Sequence, residues 1–197
     1  RIGFPKNFSV MDEEDQKMLA IQVMDECGIS RSQDTVKDFL INIARGKKNA
    51  PYISDLWMGK IENKSYYAKE FYKYVMKQLK SFSLGFNDLM HVTCYILSNF
   101  EEARLFWQDK LNYIMIDEAQ DSNDEEWYII ETLAGLYENL FIVGDPDQCI
   151  YEWRGASPLD FVNFKADVQI ILNENYRSTP NILNVANSII VHNKMRV

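Results

Sequence analysis

Residues 113–121 read Tyr-Ile-Met-Ile-Asp-Glu-Ala-Gln-Asp, so two adjacent carboxylates, Asp117 and Glu118, close a short apolar run. A pair of this kind suits a divalent cation, with Asp117 holding Mg²⁺ and Glu118 orienting or deprotonating a water. The plainer alternative is an acidic helix start stabilised by the helix dipole. Two later apolar runs end in the same manner. One is followed by Gly144-Asp145-Pro146-Asp147-Gln148 and the other by Asn173-Glu174-Asn175-Tyr176-Arg177. An acidic pair, a glutamine and an arginine make chemical sense around a nucleoside triphosphate. The metal bridges phosphates, Gln148 senses the terminal one, and Arg177 neutralises charge developing in the transition state. Taken singly, Gln148 is an ordinary helix-start side chain, Arg177 a surface ion pair and Asp145-Pro146 a turn. Three such clusters in succession favour one shared site.

The elements that must position these groups are short strands. Residues 112–116, 139–143 and 168–172 are each too brief for a helix and too apolar for a loop, and they read as buried parallel strands. Helices are expected between them, over 86–100, 101–110, 123–137 and from Pro180 to about Asn193, with Ser157-Pro158 starting another. Strand–helix alternation implies a parallel sheet, and open sheets of this class bind ligands at the carboxyl ends of their strands. Before Gly85 the chain reads as all helix. Asp12 can cap a helix from Glu13 to Cys27 with Gly28 past its end, and a second is expected from Ser32 to Arg45, closed by Gly46. Pro51 opens a short helix. The longest is expected over 64–81, with Tyr67, Phe71, Tyr74, Val75 and Gln78 on one side. Lys69, Lys73, Lys77 and Lys80 share its other side, either tracking phosphates or forming a solvated face.

The chain has 197 residues, is 47% hydrophobic and carries a net charge of −8. Residues 1–84 hold 14 Lys+Arg against 11 Asp+Glu and residues 85–197 hold 7 against 18, so the acidity is confined to the second part and does not exclude a polyanionic partner. The change of sign suggests two units. No stretch approaches the ~18 apolar residues of a membrane span, and no basic-then-apolar leader opens the chain. Cys27, Cys94 and Cys149 fit neither a metal pattern nor an even disulfide set, which makes a reducing, cytoplasmic setting the expectation. The first residue is Arg1, which suggests a start inside a longer protein.

Three segments together carry a resemblance. Asp117-Glu118-Ala119-Gln120-Asp121 resembles the Walker B motif of superfamily 1 DNA helicases. The stretch Gly144-Asp145-Pro146-Asp147-Gln148-Cys149-Ile150-Tyr151-Glu152-Trp153-Arg154-Gly155-Ala156 is similar, nearly residue for residue, to the next motif of the UvrD/Rep/PcrA branch, and Asn175-Tyr176-Arg177-Ser178-Thr179 to the one after. Phe86-Asn87-Asp88-Leu89-Met90 and Pro5-Lys6-Asn7-Phe8 with Asp12-Glu13-Glu14-Asp15-Gln16 also look like segments of that family. The match is specific over 113–181 and loose before Gly85. The resemblance implies Asp117 as Mg²⁺ ligand, Glu118 as general base, Gln148 on the γ-phosphate, Arg177 as arginine finger and Tyr176 against the adenine. It also implies that Tyr151 and Trp153 face single-stranded DNA, with Trp153 stacking on a base and Arg154 linking the two sites through phosphate or carboxylate contacts. The alternative for Trp153 is core packing. Asn87 and Cys149 are small departures from the family pattern.

By the same resemblance the fold is α/β: an all-helical 1B-like subdomain over 1–84, a partial RecA-like 1A domain over 85–178 lacking its P-loop strand, and the beginning of a 2A domain over 179–197. The implied partners are single-stranded DNA and duplex junctions, together with the P-loop, 2A and 2B parts of a parent chain. A phosphate-cradling Gly-x-x-x-x-Gly-Lys-Ser/Thr does not occur in the 197 residues, since Gly46-Lys47 and Gly59-Lys60 have Ile41 and Ser54 where the first glycine is needed. The expectation is a fragment of an ATP-dependent DNA helicase or translocase, inactive by itself. A scaffold without motor activity and a helicase–nuclease subunit of RecB/AddA type are the alternatives.

Overall fold

The computed structural model describes residues 2–49, 51–59 and 68–192. Two compact units divide the chain, one over 1–99 and the other over 100–197.

The first unit opens with strand β1 (Ser9–Met11) and helix α1 (Glu13–Cys27). A reciprocal cap starts α1: the Asp15 amide donates to Asp12 Oδ1 at 2.9 Å while the Asp12 amide donates to Asp15 Oδ2 at 3.3 Å. Gly28, left-handed at φ 74°, ends it as expected. Helix α2 spans Gln33–Asn49 and runs straight through Gly46, the residue expected to stop it. The reason is tertiary. A Cβ on Gly46 would lie 2.5 Å from the Phe71 ring, so the missing side chain lets α3 (Lys69–Ser81) approach. A π-helical turn over Ile53–Trp57 stands where Pro51 was expected to open a helix. Residues 64–67 of the expected long helix, Tyr67 among them, lie outside the described residues. Ala20, Val23 and Met24 of α1, Phe39 and Ile43 of α2, and Phe71, Tyr74 and Val75 of α3 form the core with Tyr52, Ile53 and Val92.

After α3 the left-handed Phe82 (φ 48°) turns the chain into β2 (Ser83–Gly85). This strand is parallel to β1, pairing Ser9 with Ser83, Val10 with Leu84 and Met11 with Gly85. The all-helical reading of the N-terminal part is therefore corrected: it holds a two-stranded parallel sheet. Three-residue strands are too short to display an alternating pattern, and their partners lie on either side of the helices. Helix α4 (Phe86–Asn99) belongs to this unit.

The lysine stripe of α3 is partly committed. Lys73 and Lys77 reach Glu26 at 3.3 and 2.8 Å, and Lys73 also donates to the Glu26 carbonyl near the end of α1. Hydrogen bonds from Lys77 and then Lys73 pull the Glu26 carboxyl below its ordinary range.

Deeper in the unit sits a buried ionic cluster. Lys47 Nζ donates to Asp88 Oδ1 at 2.6 Å, Asp88 Oδ2 at 2.8 Å and Gln78 Oε1 at 2.6 Å. Tyr52 Oη, Gln78 Nε2 and the Gly85 amide complete the carboxylate's partners at 2.8, 2.9 and 2.9 Å. Lys47 is 8% exposed and Asp88 1%. Burial by itself pushes the Asp88 carboxyl upward, but the Lys47 ammonium and the Gln78 and Gly85 donors outweigh it and hold the group below the usual carboxylate range.

The second unit holds α5 (Glu101–Lys110), β3 (Ile114–Ile116), α6 (Asp124–Ala134), β4 (Leu140–Ile142), α7 (Pro158–Asn163) and α8 (Pro180–Ile190). Asn123 caps α6, its Oδ1 accepting from the Glu125 and Glu126 amides at 3.0 and 3.1 Å. Helix α6 buries Trp127, Ile130 and Ala134, and Trp127 stacks on Phe164 at 6.0 Å. Strands β3 and β4 are parallel, with Ile114 opposite Leu140 and Ile116 opposite Ile142.

The third expected strand is not formed. Residues 168–172 carry no strand pairing, and Val168, Ile170, Ile171 and Leu172 are 73–82% exposed. A parallel strand needs a hydrogen-bonding neighbour, and no strand among the described residues offers this run one. The α/β expectation is met by mostly helical units with two small parallel sheets.

Candidate active site

Parallel pairing of β3 with β4 brings the segments after Ile116 and Ile142 to one edge. The Val143 amide donates to the Ile116 carbonyl at 2.8 Å and the Ala119 amide to the Val143 carbonyl at 3.0 Å, extending the ladder past both strands. Glu118 sits at this edge with φ 52° and ψ 40°, a left-handed conformation uncommon for a residue with a side chain. Its amide donates to Asp117 Oδ1 at 2.9 Å, and both carboxylates are solvent-exposed. The left-handed turn sends the chain into a 3₁₀ turn, Ala119–Asp121, that buries Ala119 and Gln120.

Gln120 was passed over in the sequence reading. It is 1% exposed and uses both ends of its amide. Nε2 donates to Glu118 Oε2 at 2.8 Å, and Oε1 accepts the Asp145 amide at 2.9 Å. Gly144 makes room for it, because a Cβ there would lie 2.6 Å from Gln120 Oε1. Asp145 organises the following turn: Oδ1 accepts the Asp147 amide at 3.0 Å and Oδ2 accepts Gln148 Nε2 at 2.7 Å. Glu118 and Gln148 are thus joined through Gln120 and Asp145. Gln120 and Asp145 are the connecting links, and burial alone distinguishes Gln120 from the polar residues around it.

The loop beyond carries an aromatic–guanidinium cluster. Arg154 Cζ lies 4.8 Å from the ring centres of both Tyr151 and Trp153, and the two rings are 6.4 Å apart. Trp153 is 75% exposed, which removes core packing as its role. Arg154 stacks on both rings. Cys149, the departure from the family pattern, has a thiol pushed up by burial and by the neighbouring Asp121 carboxylate, against a lowering contact from the Tyr151 backbone.

Tyr176 and Arg177 are not brought to the other groups. Asn175 Oδ1 accepts the Arg177 and Ser178 amides at 3.0 and 2.8 Å, a compact turn ahead of α8. Tyr176 is 90% exposed, its hydroxyl donates to Glu174, and that bond pushes its pKa up. No hydrogen bond or ion pair joins the Arg177 side chain to Asp117, Glu118 or Gln148. Without a third strand among the described residues, the sheet does not position this segment.

No group of three or more His, Cys, Asp or Glu side chains among the described residues is arranged to hold a metal ion. Two exposed carboxylates at a strand end suit Mg²⁺ in another way, since that ion keeps waters and is usually held by one or two carboxylates plus substrate phosphates.

The second unit thus carries a carboxylate pair and an Asp–Gln turn at adjoining ends of two parallel strands. The chain belongs to the UvrD/REP helicase family: the UvrD/REP helicase N-terminal domain matches residues 1–169. It is 34% identical to the ATP-dependent DNA helicase PcrA of Staphylococcus epidermidis, over all of this chain and 28% of that protein. It is 33% identical to the proteins of the same name from Leuconostoc citreum and Staphylococcus aureus, again over its whole length and 27% and 28% of theirs. The chain therefore spans little more than a quarter of the relatives it matches, and the segment with Tyr176 and Arg177 lies beyond the family domain but within the aligned relatives.

Proposed function

We propose that this chain is part of an ATP-dependent DNA helicase or translocase that couples ATP hydrolysis to movement on single-stranded DNA. The observation that carries the reading is the hydrogen-bonded chain from Glu118 through Gln120 and Asp145 to Gln148 at one strand edge. The exposed Tyr151–Arg154–Trp153 cluster follows directly on the same loop. In this reading Asp117 holds Mg²⁺, which neutralises phosphate charge when bound. Glu118 takes the proton of the attacking water, Gln148 contacts the γ-phosphate and that water, Arg177 stabilises the developing charge, and Tyr176 stacks on the adenine. Trp153 and Tyr151 face bases, and Arg154, stacked between them, stiffens the platform.

The segments would then be a 1B-like subdomain over 1–84, a partial RecA-like 1A domain over 85–178 and the beginning of a 2A domain over 179–197. Helix α4 would pack on the first of them. A cytoplasmic setting goes with this reading; among the described residues no helix is long and apolar enough to cross a membrane.

Two measurements test it. Base–aromatic stacking contributes about 1–3 kcal/mol per base, so Trp153→Ala should weaken binding of a single-stranded oligonucleotide roughly 5- to 150-fold at fixed salt. Unchanged affinity would remove Trp153 from the DNA site. The 197 residues contain no P-loop sequence. The isolated chain should therefore show no DNA-stimulated ATP turnover, and steady turnover would contradict the assignment.

A further inference from the structure

We propose that Gln120 is a positioning residue for ATP hydrolysis, holding the Glu118 carboxylate and locking it to the turn that carries Gln148. The proposal rests on the reading of Glu118 as the general base. Glu118 is exposed and stands on a left-handed residue, so its carboxylate would otherwise sample several rotamers. Among the described residues the one side chain that hydrogen-bonds this carboxylate is Gln120.

The direction of the Gln120 amide is dictated by chemistry. The Asp145 main-chain nitrogen can only donate, so the oxygen of the glutamine must face it, and the NH₂ must face Glu118. That arrangement turns a donor toward the Glu118 carboxylate. The side chain cannot swing elsewhere, because it is 1% exposed and packed against Gly144, where even a methyl group would come within 2.6 Å of its oxygen. A buried glutamine that merely ties two loops would need only structural partners. This one places one end on the β4 turn and the other on an exposed carboxylate at the strand edge. Asp145 then relays the constraint, its backbone held by Gln120 and its Oδ2 held by Gln148. The proton acceptor and the residue facing the terminal phosphate are fixed relative to each other before any nucleotide arrives.

The test uses the full-length protein that contains this chain and follows DNA-stimulated ATP turnover. Glu118→Gln is measured first. If it leaves turnover intact, the general-base reading fails whatever Gln120 does. Once Glu118→Gln abolishes turnover, two variants separate positioning from packing. Gln120→Met fills the same space without hydrogen bonds, and Gln120→Glu keeps the acceptor for Asp145 but opposes Glu118 with a second carboxylate. Misplacing a reacting group by about 1 Å can cost on the order of 10²-fold. We expect kcat to fall about 10- to 100-fold in Gln120→Met and further in Gln120→Glu, with the KM for ATP within about twofold of the parent. A purely structural glutamine gives the opposite order, because Gln120→Glu preserves the link to Asp145. The proposal is overturned if Gln120→Met keeps kcat within about twofold, if Gln120→Glu is the more active variant, or if KM rises in step with the loss of kcat. Should Gln120→Met fail to fold, Gln120→Glu decides alone: a kcat near that of the parent overturns the proposal, and a selective loss of kcat supports it.

Discussion

Replacing Arg177 by alanine in the full-length protein is expected to lower ATP turnover at saturating nucleotide and DNA by about 10³–10⁵-fold, while leaving the folding of this region unchanged. Both halves of the expectation follow from its surroundings. The guanidinium is exposed and tied to no described carboxylate, so truncation removes no packing and orphans no buried partner. Its proposed work begins only when charge builds on the transferring phosphoryl group. Arg177→Lys should not restore the rate, because a point charge cannot reproduce the planar fork. Parallel thermal melts would show the parent and Arg177→Ala unfolding together. A loss of turnover below about tenfold would exclude the arginine-finger role.

Asp88 should behave in the reverse manner. It belongs to the first unit and has no part in the proposed chemistry, and Asp88→Ala is expected to destabilise the chain by roughly 3–5 kcal/mol by leaving the Lys47 ammonium buried without its counter-ion. Lys47→Met should cost a comparable amount. Replacing both partners together, as Lys47→Met with Asp88→Leu, should recover much of the loss, because no uncompensated charge remains. Urea midpoints followed by circular dichroism separate these cases; a loss in the double variant equal to the sum of the two single losses would show that the pair is not coupled.

The same group sets a dependence on pH. The carboxyl is held below its ordinary range in the folded chain. Its contribution is therefore fully present above the unfolded value of about 3.9 and is lost as pH falls from there through the lowered folded value. Asp88→Asn should remove that part of the acid sensitivity, and an unaltered acid limb would show that another carboxylate governs it.

Asp88 also shows how sequence patterns mislead. It belongs to a segment matched for its resemblance to a family motif, and Gln78 was placed on the apolar face of α3. Both turn out to be buried polar partners of Lys47, a residue with no local mark of its own. Gly46 had the signature of a helix stop, yet a neighbouring ring explains it better. The run 168–172 had the composition of a buried strand, but hydrogen-bonding neighbours make a strand, and its apolar side chains are open to solvent.

What the amino-acid order determined by itself was everything carried by contacts within a few residues: the Asp12 and Asn123 caps, the Gly28 stop, the apolar periodicity of α3, and the residue types of the Asp117–Glu118 and Asp145–Gln148 clusters. Tertiary structure decided the rest. It paired β1 with β2 across the intervening helices, placed α2 against α3 at Gly46, buried Lys47 with Asp88, and set Gln120 between Glu118 and Asp145. Those choices depend on partners tens of residues away, and a buried amide or ion pair acquires its meaning only when the surrounding fold removes water from it.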